Sequence, residues 1–354
     1  MPRTSAPLRR RALACAAAFG LLLPTACASD EDRTAPLPGA DGAERDISFT
    51  VDGTEVFATL SLPEGASEEV PGALIVSGSG PTDRDGNSEL RPSADTNLNL
   101  ARVLAEAGVA SLRYDKLGSG ETGLGGHDPE EPVDPQVFDD QFAAAYEQLL
   151  SQPEIDPGRT LVVGHSEGAL YALRAHELVR DEPALVLVAP PGTRYLDLVD
   201  RQLTEQVRSA EAVGQISEEE AVLVLSDARA GRAALRGGHA IPDDLGDVAG
   251  SLYSEQNAEF LTRMDALDPV ELASDLPPRT PVLVLWGEAD AQVSREEVDR
   301  LMTGLADGER VDIPETDHVL RHYEDKPGAT VLDSERPFAP EVSPALEDFV
   351  SRAW

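Results

Sequence analysis

The chain has 354 residues, 41% of them hydrophobic and 27% charged, with a formal charge of −36 at pH 7. That is enough sequence for one large domain or two ordinary ones. An acidity of this size, with no basic patch, excludes nucleic acid as a partner and repels anionic membrane surfaces; it favours solubility without selecting a fold.

The amino terminus reads as an export signal. Arg3 and Arg9 to Arg11 give a basic start, and Ala12 to Leu23 is an apolar run, well short of the ~20 residues needed to span a bilayer. Pro24-Thr25-Ala26-Cys27 follows. A small residue before a cysteine at this place resembles the bacterial lipoprotein processing box, although Pro24 stands where that box prefers leucine. The resemblance implies a signal over residues 1–27, with Cys27 lipidated as the mature amino terminus and attaching the protein to a membrane. Cys15 falls inside the signal, so Cys27 would be the one remaining thiol and could form no internal disulfide. Cleavage near residues 26 to 28 without lipidation, giving a freely secreted protein, is the alternative. Residues 28–45, rich in Asp, Pro, Ala and Gly, read as a flexible tether.

A folded domain is expected over residues 46–354. Ile47 to Val51 and Val56 to Leu60, separated by Asp52-Gly53, predict a hairpin. Ala73 to Val76 is a buried strand, followed by a polar, glycine-rich loop from Ser77 to Asn87. A helix over 97–107, a strand over 109–114, a helix over 135–151 and the strand Leu161 to Val163 come next. Helix formers then run from Glu167 to Arg180, ahead of a strand over 184–188. From Tyr195 to about Ala266 the pattern is helical throughout, and Ser217-Glu218-Glu219-Glu220 is a capping box. Residues 193–266 therefore read as a helical cap inserted between two strands. Pro281 to Trp286 resumes the sheet, Arg310 to Ile313 adds a strand, and a helix over 343–352 closes the chain. This alternation predicts an α/β fold with a mainly parallel, doubly wound sheet. Sites in such folds lie beyond the carboxyl ends of the strands.

One stretch carries chemistry. Leu161-Val162-Val163 runs into Gly164-His165-Ser166-Glu167-Gly168, and a helix begins at once. In a strand–turn–helix setting, Gly-x-Ser-x-Gly forces a sharp turn that presents the serine hydroxyl alone at the strand end. A serine is a poor nucleophile near neutral pH and needs a base, which in turn needs an orienting group. His318 and His322 both follow the last strand; His318, nearer to it, is the better placed. For the orienting acid, Asp290 follows the strand ending at Gly287, with Glu288 and Asp317 as alternatives.

Gly164-His165-Ser166-Glu167-Gly168, Gly287-Glu288-Ala289-Asp290 and Asp317-His318-Val319-Leu320, in this order, resemble the α/β-hydrolase superfamily. Ser77 to Asn87, Tyr114-Asp115-Lys116-Leu117-Gly118-Ser119-Gly120 and Asp268-Pro269 are similar to a bacterial branch of serine aminopeptidase-like hydrolases whose characterised members are carboxylesterases. Leu117 departs from that branch, which usually has arginine there. The resemblance covers residue 46 to the end and implies roles. Ser166 is the nucleophile, His318 the base and Asp290 its orienting acid. The backbone N–H groups of Glu167 and Ser79, or Gly80 in place of Ser79, form the oxyanion hole. No metal and no cofactor is implied. The expected protein is an exported carboxylesterase acting on small acyl esters, with an exported peptidase of the same fold as alternative.

Two other signals are set aside. Gly118 to Gly123 fits Gly-x-Gly-x-x-Gly, but glycines and prolines follow in place of a helix, so it reads as a loop and not a dinucleotide site. Asp83-Arg84-Asp85-Gly86 lacks calcium-loop spacing; its acids are expected to pair with Arg84 or cap the next helix.

Overall fold

The computed structural model describes residues 43–354, apart from 67, 130, 325, 327–329 and 331. The export signal, Cys27 and most of the expected tether lie outside the described residues. β1 (Glu44–Val51) and β2 (Thr54–Ser61) form the expected hairpin, with Asp52 and Gly53 at φ 46° and 84° in its turn, the backbone twist that a two-residue connection requires. β1 begins two residues earlier than Asp46. Polar residues supply the reason: the Glu44 carboxylate accepts from Arg113 and Ser61, and the Arg45 guanidinium reaches Glu154 and Gln152.

β3 (Val70–Val76), β4 (Ala110–Tyr114), β5 (Ile155–His165), β6 (Ala184–Val188), β7 (Val282–Gly287) and β8 (Glu309–Ile313) complete one sheet of eight strands, in the order β1-β2-β4-β3-β5-β6-β7-β8. The β1-β2 and β2-β4 pairs are antiparallel and the rest parallel. This is the mainly parallel α/β architecture that the order of elements predicted. Parallel strands buried on both faces must be apolar at every position, which is why these runs do not alternate. Ala73, Ile75, Leu161, Val163 and Val186 point to one face, against α1 (Thr96–Glu106) and the carboxyl-terminal helix over Val342–Val350. Leu74, Val76, Val162, Leu185 and Leu187 point to the other, where α2 (Gln136–Leu150) and α3 (Gly168–Leu173) lie.

The helix expected from Glu167 to Arg180 is broken in two. α3 ends at Leu173 and α4 (Ala175–Leu178) follows, with Arg174 between them at φ −96°, ψ 2°. The break turns the Arg174 guanidinium onto Asp139 of α2 through bonds of 3.0 and 2.7 Å, a bidentate pairing that outweighs the local preference for a continuous helix.

Between β6 and β7 run α5 (Tyr195–Ala212), α6 (Glu218–Gly237), α7 (Asp247–Leu252), α8 (Glu255–Ala266) and α9 (Pro269–Ser274). The capping box opens α6 as expected, and Gly238, at φ 63°, closes it. Arg236 of α6 ties the helices together by pairing with Asp197 of α5 and Asp265 of α8. The stretch from Gly192 to Asp268, which carries α5 to α8, is clasped at both ends by α10 (Arg295–Met302). The Arg300 guanidinium donates to the Gly192 carbonyl where the chain enters and to the Asp268 carboxylate where it leaves. Gly192 sits so tightly on α10 that a Cβ would lie 1.7 Å from the Glu297 carbonyl oxygen. The last helix, Val342–Val350, is α11.

Candidate active site

β5 delivers the chain to Ser166, whose φ of 53° places it in the left-handed region, at a cost of about 1–2 kcal/mol for a residue with a side chain. Packing holds it there. A Cβ on Gly164 would lie 2.3 Å from the Gly168 carbonyl oxygen, and one on Gly168 would lie 2.3 Å from that of Val76. Both glycines of the pentapeptide are thus required by close backbone approach. The Ser166 N–H donates to Val188 at the end of β6 (2.8 Å).

Asp290 and His318 meet across the next two strand ends. A Cβ on Gly287 would lie 2.2 Å from the Thr316 carbonyl oxygen, so the two loops are in direct backbone contact. One Asp290 oxygen accepts N–H groups from Gln292 (2.7 Å) and Val293 (2.9 Å). The other faces His318 Nδ1 at 2.8 Å, and the Asp290 side chain is wholly buried. An acceptor fixed in this way is met by Nδ1–H, which directs Nε2 to the opposite edge of the ring.

The alternatives are occupied elsewhere. Glu288 pairs with Arg295 at 2.7 Å, and the side chain of His322, 38% exposed, faces Glu324. Asp317 lies under the His318 loop, where one oxygen accepts the N–H groups of Val319 and Arg321 and the other takes Arg91 and Arg336. Burial alone would raise the Asp317 carboxyl, but these two arginines hold it below its ordinary value. Asp333 pairs with the same two arginines, so an ionic lattice carries the loop that presents His318.

No hydrogen bond joins the Ser166 hydroxyl to His318 among the described residues. His165, the chain neighbour of Ser166, touches the His318 loop: its Nε2–H donates to the His318 carbonyl at 2.9 Å and the two rings lie 4.9 Å apart. Burial pushes His165 down to about 3, with nearby His318 adding to the effect, so the ring is neutral and serves as a strut.

The loop after β3 lies directly on the turn. A Cβ on Gly78 would sit 3.3 Å from Ser166 Cβ and 3.3 Å from His165 Nδ1. Among the described residues, neither the Ser79 N–H nor the Glu167 N–H has a hydrogen-bond partner. The loop is braced internally: Ser77 donates to the Asp83 carbonyl, Thr82 to that of Ser79, and Asp83 accepts the N–H groups of Asp85 and Asn87. Burial, aided by Asp85 and Asp115, raises the Asp83 carboxyl to about 6. The expected pairing of Asp83 and Asp85 with Arg84 is not found. Arg84 goes to Asp115 and Glu121, and Asp85 takes Arg113 through its side chain. Asp85 does serve the next helix, but by its carbonyl, which accepts from Asn97 and Leu98.

A cavity of about 80 Å³ adjoins this loop. Leu117, Leu124, Val133, Phe138, Tyr195 and Phe260 give it an apolar wall, and Ser79, Lys116 and Glu167 supply polar groups. Phe260 stands edge-on to both Phe138 (5.6 Å) and Tyr195 (6.0 Å). The Glu167 carboxylate is buried and fully engaged, accepting from Tyr195 at 2.7 Å and Lys116 at 3.2 Å. Lys116 lies in the stretch Tyr114 to Gly120 that carries the family resemblance, but neither it nor Tyr195 had an expected role. The stretch Gly118 to Gly123 is a loop as expected, and a Cβ on Gly120 would lie 2.2 Å from the Asp115 carboxylate.

A family model described as the alpha/beta hydrolase family matches residues 73–333. No curated protein sequence matches the chain. Among solved structures the fold is similar to Est1E from Butyrivibrio proteoclasticus, with 18% identity, 87% of this chain and 98% of that one covered, and a TM-score of 0.52. It is similar to a proline iminopeptidase from Mycobacterium smegmatis, with 18% identity, coverage of 87% and 98%, and a TM-score of 0.53. A hypothetical protein from Pseudomonas aeruginosa, at 17% identity, is covered completely, against 94% of this chain, with a TM-score of 0.55. Likenesses at these identities speak for the fold and leave the substrate to the site.

Proposed function

Because this chain belongs to the alpha/beta hydrolase family, we propose that it is a serine carboxylesterase of the aminopeptidase-like branch, exported and attached to a membrane through a lipid on Cys27. The Asp290–His318 contact of 2.8 Å, beside a serine held at φ 53°, is the observation that carries the reading. In this mechanism the Ser166 oxygen attacks the acyl carbon while its proton passes to His318 Nε2, and Asp290 stabilises the imidazolium. The N–H groups of Ser79 and Glu167 receive the oxyanion. The tetrahedral intermediate collapses, the alcohol leaves with the proton held by His318, and water repeats the sequence on the acyl-enzyme. The cavity beside Ser79 takes a small acyl group beneath α5 and α8, which act as the cap.

A peptidase that trims amino termini would need an unpaired carboxylate to hold the substrate's ammonium. Glu167 is the acid that lines the cavity, and both its oxygens are engaged; this favours esters. Fluorophosphonate labelling together with turnover of nitrophenyl esters and aminoacyl anilides tests the proposal. We expect labelling of the native protein and none of Ser166→Ala, ester turnover above anilide turnover, and a loss of about 10⁴ in kcat for Asp290→Asn. Equal labelling of Ser166→Ala, or faster turnover of the anilides, would overturn it. Mass spectrometry of the mature amino terminus tests the lipid, which requires a diacylglyceryl mass on Cys27.

A further inference from the structure

Lys116 occupies an unusual place. The sequence contains two lysines, Lys116 and Lys326, within a Lys and Arg total of 29, so arginine serves as the cation nearly everywhere else. Lys116 is buried, 4% exposed, at the carboxyl end of β4. Its ammonium donates to the Gly78 carbonyl at 2.7 Å and to Glu167 Oε1 at 3.2 Å. Those two acceptors are related to each other. The Gly78 carbonyl belongs to the same peptide group as the Ser79 N–H, and Glu167 carries the other N–H assigned above to the oxyanion. A single ammonium therefore spans both halves of the proposed oxyanion hole. The compact head of lysine, a point charge with three donors, meets a carbonyl and a carboxylate at once. Tyr195, the first residue of α5, completes the chain by donating to Glu167 Oε2 at 2.7 Å.

We propose that Lys116 is a positioning residue of the oxyanion hole, which polarises the Gly78–Ser79 peptide so that its N–H becomes a stronger donor, and which locks that N–H in register with the N–H of Glu167. The inference rests on the esterase reading of the same site. Hydrogen bonding of a cation to a peptide carbonyl draws density from the amide nitrogen, and cooperative strengthening of this kind is largest in a low-dielectric setting. The effect grows as negative charge develops on the substrate oxygen, so it belongs to the transition state and not to ground-state binding.

The test uses the second-order rate of fluorophosphonate reaction at Ser166, a readout that requires no knowledge of the natural substrate, together with kcat and KM for p-nitrophenyl butyrate. Lys116→Met is expected to slow both phosphonylation and kcat by about tenfold to a hundredfold, with KM changed less than about threefold. Affinity for an alkyl boronic acid, which forms a tetrahedral anion on the serine, is expected to fall in parallel. Lys116→Met strands a buried carboxylate, so the double variant Lys116→Met, Glu167→Gln removes the charges together and carries the test if the single variant does not fold. Under the proposal it stays as slow as the single variant. Recovery of the native rate would reduce Lys116 to a countercharge for Glu167 and overturn the proposal, as would a single variant within about threefold of native. Absence of labelling at Ser166 in the native protein would instead remove the esterase reading itself.

Discussion

His165 illustrates how a neutral, buried ring couples stability to pH. Its pKa is about 3 in the folded protein against an ordinary value of 6.5, so between these values the unfolded chain binds a proton that the folded one excludes. Its contribution is intact above pH 6.5 and is lost on acidification, at about 1.4 kcal/mol per pH unit, until the folded ring itself titrates. His165→Gln keeps a donor for the His318 carbonyl but cannot be protonated. We expect this variant to be the less stable protein at pH 8, with the gap narrowing below pH 6.5 and then reversing. Urea unfolding of both proteins across this range measures the gap; a gap independent of pH would mean that His165 takes up its proton equally in the folded and unfolded states. Asp290 and His318 needed no such subtlety to find. Each stands a few residues past an expected strand, apolar throughout for β7 and mixed for β8, and strand ends are where sequence reads most clearly. Lys116 and Tyr195 were hidden because their partners, Gly78 and Glu167, are distant in sequence, although the scarcity of lysine was a signal open to reading.

The strand–turn–helix unit at Ser166 depends on glycine through steric crowding more than through flexibility. Gly168→Ala drives a methyl group toward the Val76 carbonyl, where 2.3 Å is available. The main chain must move, so about 1–3 kcal/mol of stability is expected to be lost along with at least tenfold in kcat, since Ser166 and the Glu167 N–H shift together. Gly53→Ala is the control. Its φ of 84° gives a strained alanine, yet nothing lies within 4 Å of the new carbon, so stability falls by about 1 kcal/mol while kcat is unchanged. Thermal unfolding and ester turnover of both variants separate the two effects; full activity in Gly168→Ala would show that the turn yields without moving the serine. The same unit marks where local patterning stops being informative. The strand, the turn and the first helical residues were legible, whereas the break at Arg174 was not, because it answers to Asp139 on another helix.

Across the molecule, the cavity draws on parts that only the completed fold brings together: Phe138 from α2, Tyr195 from α5, Phe260 from α8, and the loops after β3 and β4. Phe260→Ala removes the ring that stands edge-on to the other two. It is expected to raise kcat/KM for p-nitrophenyl octanoate relative to the acetate by about tenfold, within the range by which apolar pockets discriminate chain length. An unchanged ratio would place the acyl chain elsewhere. The clasp at Arg300 gives the whole arrangement a further property. With Gly192 and Asp268 tied to one guanidinium, the chain that carries α5 to α8 leaves and returns at nearly the same point on α10. Closing such a loop becomes only slowly more costly as it lengthens. The helices over the cavity are thus a replaceable module on a fixed socket: a graft that preserves Gly192, Tyr195, Asp268 and Arg300 is expected to reshape the cavity wall while leaving the Asp290–His318 contact and the Glu167 network in place.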